Sequence, residues 1–581
     1  MTRNEFNLLY AVKRFGVQSH RKLKEVADVS TGFISQKLRE FTEEGLIDDK
    51  GITDKGLEEL APYKVDNAVI MAAGMSTRFV PISLEKPKGL LVVKNEVLIE
   101  RQIEQLQEAG IRQIVIVLGY KKEAFFYLEN KYEGITFIIN PEYNIKNNTH
   151  TIYLAQKHIG NTYICSSDDY FEENPFEEYV YQSYYAAVHV TEKTNEWYMT
   201  SDAKGNIARV VIGGVEGDIM LGHVYWDRQF SSAIIKLIND DQPVGKYDAM
   251  LWEQVLADNL KVLPPMEVKL YPSDVIFEFD SLDELRAFDS NYVNHTHSKI
   301  IKNITRVLEC RESDILNFRI IKDESPNTSF IFEYKGQKYV YRHPVEGRDE
   351  ISFRQEKLIQ ETVKDIDKAC VYLDDVSGFK LSNYLEEARE LNNEKDQEMI
   401  VNVLEKIHER KPAIARTFDP WVKASEIEEK IRFTGIADKE FDELKRLVEK
   451  CFKATAGDGI KTCFCNNLTF GSNMKVLDDE VIINDWQNGA YGDPGCDVGA
   501  FIMSTMWNVE EADSFIKKYC GEEYDDAKRF HYLAYTALIA YYWYLWALYR
   551  EASGTVMGEN MYRRRVMAMR YARYLVKEYD L

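Results

Sequence analysis

The sequence is poor in cysteine, lacks an excess of basic charge and has no long apolar run free of polar groups. Eight cysteines in 581 residues build no disulfide scaffold. Cys463 and Cys465 are the only close pair, and no CxxC occurs, so the spacing offers no structural zinc motif. Free thiols in a reducing cytoplasm are the simplest expectation. Lys plus Arg total 73 against 95 for Asp plus Glu, a formal net charge of −22, which disfavours a general coat for nucleic acid or anionic membrane. The N-terminus, MTRNEFNLLYAVKRFG, has no apolar core followed by a small-residue cleavage site, and so is no secretory signal. One uncharged run, residues 532–549, is about long enough to span a bilayer. It carries six tyrosines, whose hydroxyls would need partners in lipid, so a buried helix of a folded lobe is expected and no membrane insertion. There is no low-complexity tract and no short-period repeat.

What is present is ordinary globular composition, 45% hydrophobic and 29% charged, in a chain long enough for several domains. Three segments follow from pattern. In residues 1–62, Phe6, Leu9, Val12 and Phe15 recur at helical spacing, Leu23 and Val26 mark a second helix, and Ile34, Leu38 and Phe41 line a third that ends at Gly45. An Asp49-Lys50-Gly51 turn then separates two very short strands. Three helices and a ribbon resemble a winged helix. Ten basic against eleven acidic residues leave that segment near neutral, although Arg21, Lys22, Lys24, Lys37 and Arg39 could form a local patch. DNA contact through residues 1–62 is therefore a minor expectation beside docking, dimerisation or sensing.

Residues 66–290 alternate strand and helix: 67–72, a helix at 97–109, then strands at 112–119, 137–140 and 162–166. This predicts a parallel, doubly wound, Rossmann-like sheet. From 295 to 581, FRIIKD, SFIFEYKG and QKYVYRHP predict a small antiparallel sheet ahead of long helices, a two-lobed kinase-like plan.

The first strand runs into AAGMSTRF (72–79), and EKPKGL (85–90) follows. A glycine-containing turn lets backbone amides approach phosphates, Arg78 adds a planar charged fork, and Lys88 adds a mobile ammonium. Asp168 follows a later strand, at the carboxyl edge where ligands bind such sheets.

GMSTR followed by PK is similar to the opening signature of the sugar-nucleotide-type nucleotidyltransferases. IVIVLGYKKEAFFYL, NPEYNIKNNTHTIYLAQ, YICSSDDYF, TNEWYM, MLWEQVLADNL and IFEFDSLDEL resemble the bacterial phosphocholine cytidylyltransferases of the LicC type over about 225 residues. The resemblance implies transfer of CMP from CTP to phosphocholine, with 2-aminoethylphosphonate or phosphoethanolamine as the alternative acceptor. It implies Mg²⁺ held by Asp168 and Glu253, with Asp169, Glu278 and Asp280 able to complete the acidic floor. It further implies Lys88 and Arg78 as the catalytic cations, and Ala73, Gly74, Met75, Ser76, Thr77, Gly119 and Tyr120 around the nucleotide. Trp197 would meet a trimethylammonium by cation–π attraction, while Glu278 or Asp280 would suit a primary ammonium. The structural alternative for Trp197 is a core tryptophan.

YVYRHPVEG, VYLDDVSGFKLSNYL, IHERK and WYLWALYR resemble choline kinases of the LicA type. Arg342 stands at their nucleotide-contacting basic position, with Glu356 as a candidate partner one residue off the expected spacing, and Asp485 at their magnesium-binding acid. Asp493 and Asp497 match the acidic pattern that follows. The loop CFCNNLTFGSN departs from the family: Asn467 stands where the base Asp is expected, Cys465 replaces His, and Asn473 lies one residue late. An amide is no base, so phosphorylation is expected to be weak or absent. A reading of another class is a non-catalytic winged-helix regulator that senses choline metabolites. A homo-oligomer is compatible with the sequence.

Overall fold

The computed structural model describes residues 1–321, 328–344, 347–432, 439–553, 555 and 557–581. Lys322 and Asp323 of FRIIKD, and Val345 and Glu346 of YVYRHPVEG, lie outside the described residues. Two compact units divide the chain, Met1–Ser313 and Asp314–Leu581. The division falls later than the sequence boundary near 295. Residues 295–313 carry a helix whose first backbone N–H, that of Lys299, donates to Glu85 at 2.8 Å, which ties it to the first unit.

The first unit opens with α1 (Arg3–Phe15), α2 (His20–Ala27), α3 (Thr31–Glu43), a ribbon of β1 (Ile47–Asp48) and β2 (Gly51–Ile52), and a short α4 (Asp54–Leu60). A capping box at Thr2 and Glu5 starts α1, and serine side chains cap α2 and α3. Phe6, Leu9, Val12, Leu23, Ile34, Leu38 and Phe41 are buried as their spacing predicts, whereas Phe15 and Val26 face solvent. Arg3 pairs with Glu267 at 2.6 Å, Lys13 with Glu178 at 2.5 Å, and Phe6 packs on Tyr63 and Tyr181. This segment is thus docked on the α/β core. Within the expected basic patch, Arg21 meets Glu25, Lys37 meets Glu5 and Glu40, and Arg39 meets Glu43.

The core then runs β3 (Asn67–Ala72), α5 (Leu98–Glu108), β4 (Ile114–Leu118), β5 (Ile135–Ile139), α6 (Asn148–Ala155), β6 (Thr162–Ser166), β7 (Asp169–Phe171), β8 (Tyr184–Ser201), β9 (Ile207–Trp226), α7 (Arg228–Asp241), α8 (Trp252–Asn259), β10 (Glu267–Tyr271) and β11 (Ile276–Glu278), and ends with α9 (Leu282–Phe288) and α10 (Lys299–Leu308). Among the described residues, seven strands pair in the order β10-β8-β9-β6-β3-β4-β5. Alternate residues of β3 enter opposite cores, Ala68 and Ile70 on one face and Val69 on the other, as expected of a sheet covered on both sides. The stretch β6-β3-β4-β5 is parallel, but β9 runs antiparallel to β6 and β8 antiparallel to β9. The all-parallel expectation fails there because β8 and β9, of 18 and 20 residues, form one hairpin, and a tight turn permits only antiparallel pairing.

The second unit begins with β12 (Ile315–Ile321), β13 (Thr328–Tyr334) and β14 (Gln337–His343), then α11 (Glu350–Thr362), β15 (Cys370–Leu373) and β16 (Lys380–Asn383). Among the described residues these strands form an antiparallel sheet in the order β12-β13-β14-β16-β15. Later elements include α12 (Gln397–His408), β17 (Cys463–Cys465), β18 (Ala490–Gly492), α13 (Gly495–Thr505) and α14 (Asp526–Ala552). The tyrosine-rich run lies in α14, where Tyr532, Tyr535 and Tyr541 are buried in the main core of this unit. No helix of the described residues is long and apolar enough to cross a membrane.

Candidate active site

β3 and β6 are adjacent and parallel, so the turns that leave their carboxyl ends face one another. The turn after β3 carries Gly74 and Ser76; the turn after β6 carries Ser167 and Asp168. With Pro87, Lys88 and Gly89 they line a cavity of about 100 Å³. Ser76, and not Gly74, takes the left-handed backbone conformation, at φ 48°. Gly119 is the glycine that sterics demand: a Cβ there would lie 2.7 Å from Ala73 O, and the next residue, Tyr120, donates its N–H to that same oxygen at 3.0 Å. Gly119 and Tyr120 thereby hold the first turn against β4. Thr77 begins a short 3₁₀ turn that ends at Phe79, and Met75 is exposed at the mouth.

Lys88 is buried, its Nζ 2.6 Å from Asp168 Oδ2. Ser166 donates to the other carboxylate oxygen of Asp168 at 2.5 Å. Gln102, from α5, donates to the carbonyls of Ser166 and Asp169 at 2.8 Å each and so pins the turn that bears Asp168. Gly89 packs so closely on Ser167 that a Cβ would sit 2.8 Å from its Oγ, which brings Lys88 down onto the acid. The short pair β7–β11 sets Asp169 directly opposite Glu278. Just beyond β11, Asp280 Oδ2 meets Arg78 Nη1 at 2.6 Å.

This is an excess of carboxylates over cations in a confined place. Burial pushes Asp169 well up, aided by Glu278 and Asp168, and its Oδ2 is buried with no hydrogen-bond partner. Glu278 opens to solvent along the cleft, yet it is pushed up to about 7 by desolvation and by the charges of Asp168, Asp280 and Glu196. Burial opposes the charge of Lys88, but Asp168, Glu278 and Asp280 outweigh it and hold its pKa above the usual value. Burial likewise opposes ionisation of Asp168, and Lys88 more than compensates.

The structure therefore brings together Arg78, Lys88, Asp168, Glu278 and Asp280 from four separate sequence positions. Among the described residues Glu253 makes no ion pair with Lys88 or Arg78, but it borders the acidic cluster through Tyr185, whose hydroxyl is pushed up by burial and then by Glu253, Glu278 and Asp169. The Glu253 carboxylate, in the first turn of α8, accepts from Asn148 at 3.2 Å and from Tyr185 at 3.3 Å, and burial alone raises its pKa. Glu278 and Asp280, expected to complete the acidic floor or to meet an ammonium, border Lys88 and Asp168. Trp197 lies on β8 opposite Ile212 and is half-buried against the core, and among the described residues no second aromatic ring packs on it. Gln102 and Glu196 were not singled out as functional by motif; the position of α5 brings in Gln102, and β8 carries Glu196 near enough to act on Glu278.

The nucleotidyl transferase family model matches residues 67–199 of this sequence. The choline-phosphate cytidylyltransferase of Streptococcus pneumoniae is 32% identical over 222 residues, which cover 38% of this chain and 96% of that protein. This chain belongs to the nucleotidyl transferase family. Similarity of the same order connects the transferase to the 2-aminoethylphosphonate cytidylyltransferase of Lancefieldella rimae, 33% identical over 232 residues, 39% of this chain and 93% of the other. Choline kinase LicA from Streptococcus pneumoniae is a structural neighbour at TM-score 0.42 and 20% identity, covering 48% of this chain and 99% of its own.

In the second unit of the transferase, Arg342 on β14 pairs with Glu356 on α11 at 2.7 Å, despite the one-residue offset in sequence spacing. Asp485 lies 3.6 Å from the same guanidinium. Asn467 has φ 63°, donates its N–H to Asp497 Oδ1 at 2.7 Å, and donates Nδ2 to Asn488 O at 3.0 Å. Asn473 Nδ2 turns back to Leu468 O at 3.0 Å.

Proposed function

We propose that the first unit transfers CMP from CTP to phosphocholine, releasing pyrophosphate and forming CDP-choline. The observation that carries this reading is the Lys88–Asp168 and Arg78–Asp280 constellation at the carboxyl edge of β3 and β6. The relatives that span nearly their whole lengths on this chain support the cytidylyl group and a small zwitterionic acceptor.

The chemistry asks for neutralisation more than for covalent help. A phosphate oxygen of the acceptor attacks the α-phosphorus of CTP, the bond from that phosphorus to the bridging β-oxygen breaks, and pyrophosphate leaves. Two anions must approach each other. Lys88, held at the floor, and Arg78, at the rim, lower that repulsion and stabilise charge on the transferring group. The backbone between Ala73 and Thr77 cradles the phosphates, and Gly119 keeps that backbone in register.

The donor set fits a hard divalent cation: clustered carboxylate oxygens, one of them buried and unpartnered on Asp169. Asp168 and Asp280 would hold Mg²⁺, with Glu278 beside them. When bound, Mg²⁺ supplies Lewis-acid polarisation of the α-phosphate and charge balance for the leaving pyrophosphate. Lys88 and Arg78 then face the nucleotide in place of their present carboxylate partners.

A second reading, 2-aminoethylphosphonate as acceptor, is favoured by one observation. The influence of Glu196 on Glu278 adds acid beside the cleft, which suits a primary ammonium more than a methylated one. The amide at Asn467 agrees with it, since a phosphonate needs no kinase step. The test is one panel: purified chain, CTP, Mg²⁺ and each of phosphocholine, phosphoethanolamine and 2-aminoethylphosphonate, with pyrophosphate measured. The highest kcat/KM names the acceptor; no release with any of them refutes cytidylyl transfer.

A further inference from the structure

We infer that His408, Cys463 and Cys465 form a binding site for one soft divalent ion of the zinc class. The three residues come from the end of α12 and from β17, and no part of the nucleotidyl-transfer chemistry uses them.

A strand turns successive side chains to opposite faces, so the first and third residues of β17 present both thiols on one face. Their Sγ atoms are 3.7 Å apart. A disulfide needs about 2.05 Å, so the pair is reduced. Two thiolates on one tetrahedral ion, each with a metal–sulfur bond of about 2.3 Å, stand about 3.8 Å apart. The observed separation is thus the bite of a tetrahedral ion. A donor atom of His408 completes a set in which all three ligand atoms lie within 4.8 Å of one another. Thiolate and imidazole together select Zn²⁺ and its soft neighbours over Mg²⁺ or Ca²⁺.

The surroundings supply what such a site needs. His408 Nδ1 lies 2.7 Å from the Tyr519 hydroxyl and Nε2 lies 3.3 Å from Asp497 Oδ2. Whichever ring nitrogen takes the ion, the other keeps a partner that fixes the ring. Cys463 is partly exposed, which gives an entry path, while Cys465 is buried.

Binding expels both thiol protons and needs the coordinating nitrogen unprotonated, so affinity rises with pH. The ion would also tie α12 to the loop after β17, because Asp497 accepts the N–H groups of Asn466 and Asn467 at 2.9 and 2.7 Å. Its role is to hold that loop, and it replaces nothing at the lost base.

The test uses the full chain, reduced and stripped with chelator. Zn²⁺ is titrated against a chromophoric chelator, and Co²⁺ is added as a spectroscopic stand-in. The expected result is one tight equivalent of Zn²⁺ per chain and a tetrahedral Co²⁺ spectrum with an intense thiolate charge-transfer band. Cys463→Ser and Cys465→Ser each lower the band at least about twofold, the double variant abolishes it, and His408→Ala weakens Zn²⁺ at least about tenfold. An Asp168→Ala/Asp280→Ala variant keeps the band, which separates this site from the acidic cleft. An octahedral Co²⁺ spectrum of the wild type with no thiolate band overturns the proposal whatever the variants do. So does Zn²⁺ binding equal to that of a Cys463→Ser/Cys465→Ser chain that still releases pyrophosphate at the wild-type rate.

Discussion

Lys88 and Asp168 form a largely buried ion pair, 2.6 Å from Nζ to Oδ2, in the cavity at the carboxyl edge of β3 and β6. Each group is one the proposed transfer would use, and each neutralises the other. Taking both from water is costly, and the pair holds because Ser166 and Gln102 fix the acid and its turn. A triphosphate with its cation offers both charges a replacement partner, so the pair is an exchangeable plug.

Lys88→Ala should lower kcat for pyrophosphate release by about 10²–10³-fold, the scale for removing one group that stabilises transition-state charge. Lys88→Arg should recover little, because the cavity is only about 100 Å³. Steady-state kinetics with saturating CTP and Mg²⁺ checks both.

Asp280→Asn and Glu253→Gln separate the two candidate metal pairs. Asp280→Asn should reduce kcat at least about 10²-fold. Glu253→Gln should leave activity within about threefold, since its carboxylate serves hydrogen bonds to Asn148 and Tyr185. The reverse ranking in the same assay would return Glu253 to the metal site.

Gly119→Ala places a methyl group against Ala73 O, a backbone atom with no room to retreat. The displaced turn should cost about 1–3 kcal/mol of nucleotide binding. A CTP titration should show KM raised with kcat much less affected.

His531 lies between Asp493 at 2.8 Å and Asp458 at 2.6 Å, with the rings of Tyr535 and Tyr532 against it. Burial opposes its charge, yet the two carboxylates raise its pKa above 6.5. Such a group adds stability fully present below the unfolded value, about 6.5, and lost as pH rises through the higher folded value. In calorimetry the wild type should therefore exceed His531→Gln most at pH near 6 and least near 9.

Asn467→Asp puts an acid where the resemblance to choline kinases expects one, but it loses the donor to Asn488 O and sets a carboxylate against that carbonyl. Choline-dependent formation of ADP and phosphocholine from ATP should rise by less than about tenfold, short of the 10²–10⁴-fold that a well-placed base contributes. A larger gain would mean that the loop has lost the base alone.

Much of this protein was legible in order along the chain. Strand β3, the turn with Arg78, Lys88 after Pro87, and Asp168 after β6 follow from local periodicity and motif, and they meet because parallel neighbours deliver their carboxyl-end turns to one edge. Glu356 was found one residue off its expected spacing, because a helix tolerates that offset when a long side chain reaches back to Arg342. Phe15 and Val26 fit a helical repeat yet face water, since periodicity names a face and not what covers it.

The linear order of residues thus determined the element types, the alternation that builds a two-sided sheet, and the chemical kinds gathered for transfer to a phosphate. Tertiary structure alone decided which carboxylates share the cleft. Asp280 reaches Arg78 because β11 pairs with β7, whereas Glu253 is engaged by Asn148 and Tyr185. It likewise decided that His408 stands beside Cys463 and Cys465, more than fifty residues later in the chain. The physical reason is range: periodicity and turn chemistry act over a few residues, whereas charge pairing and ligand geometry depend on distances that only chain folding sets.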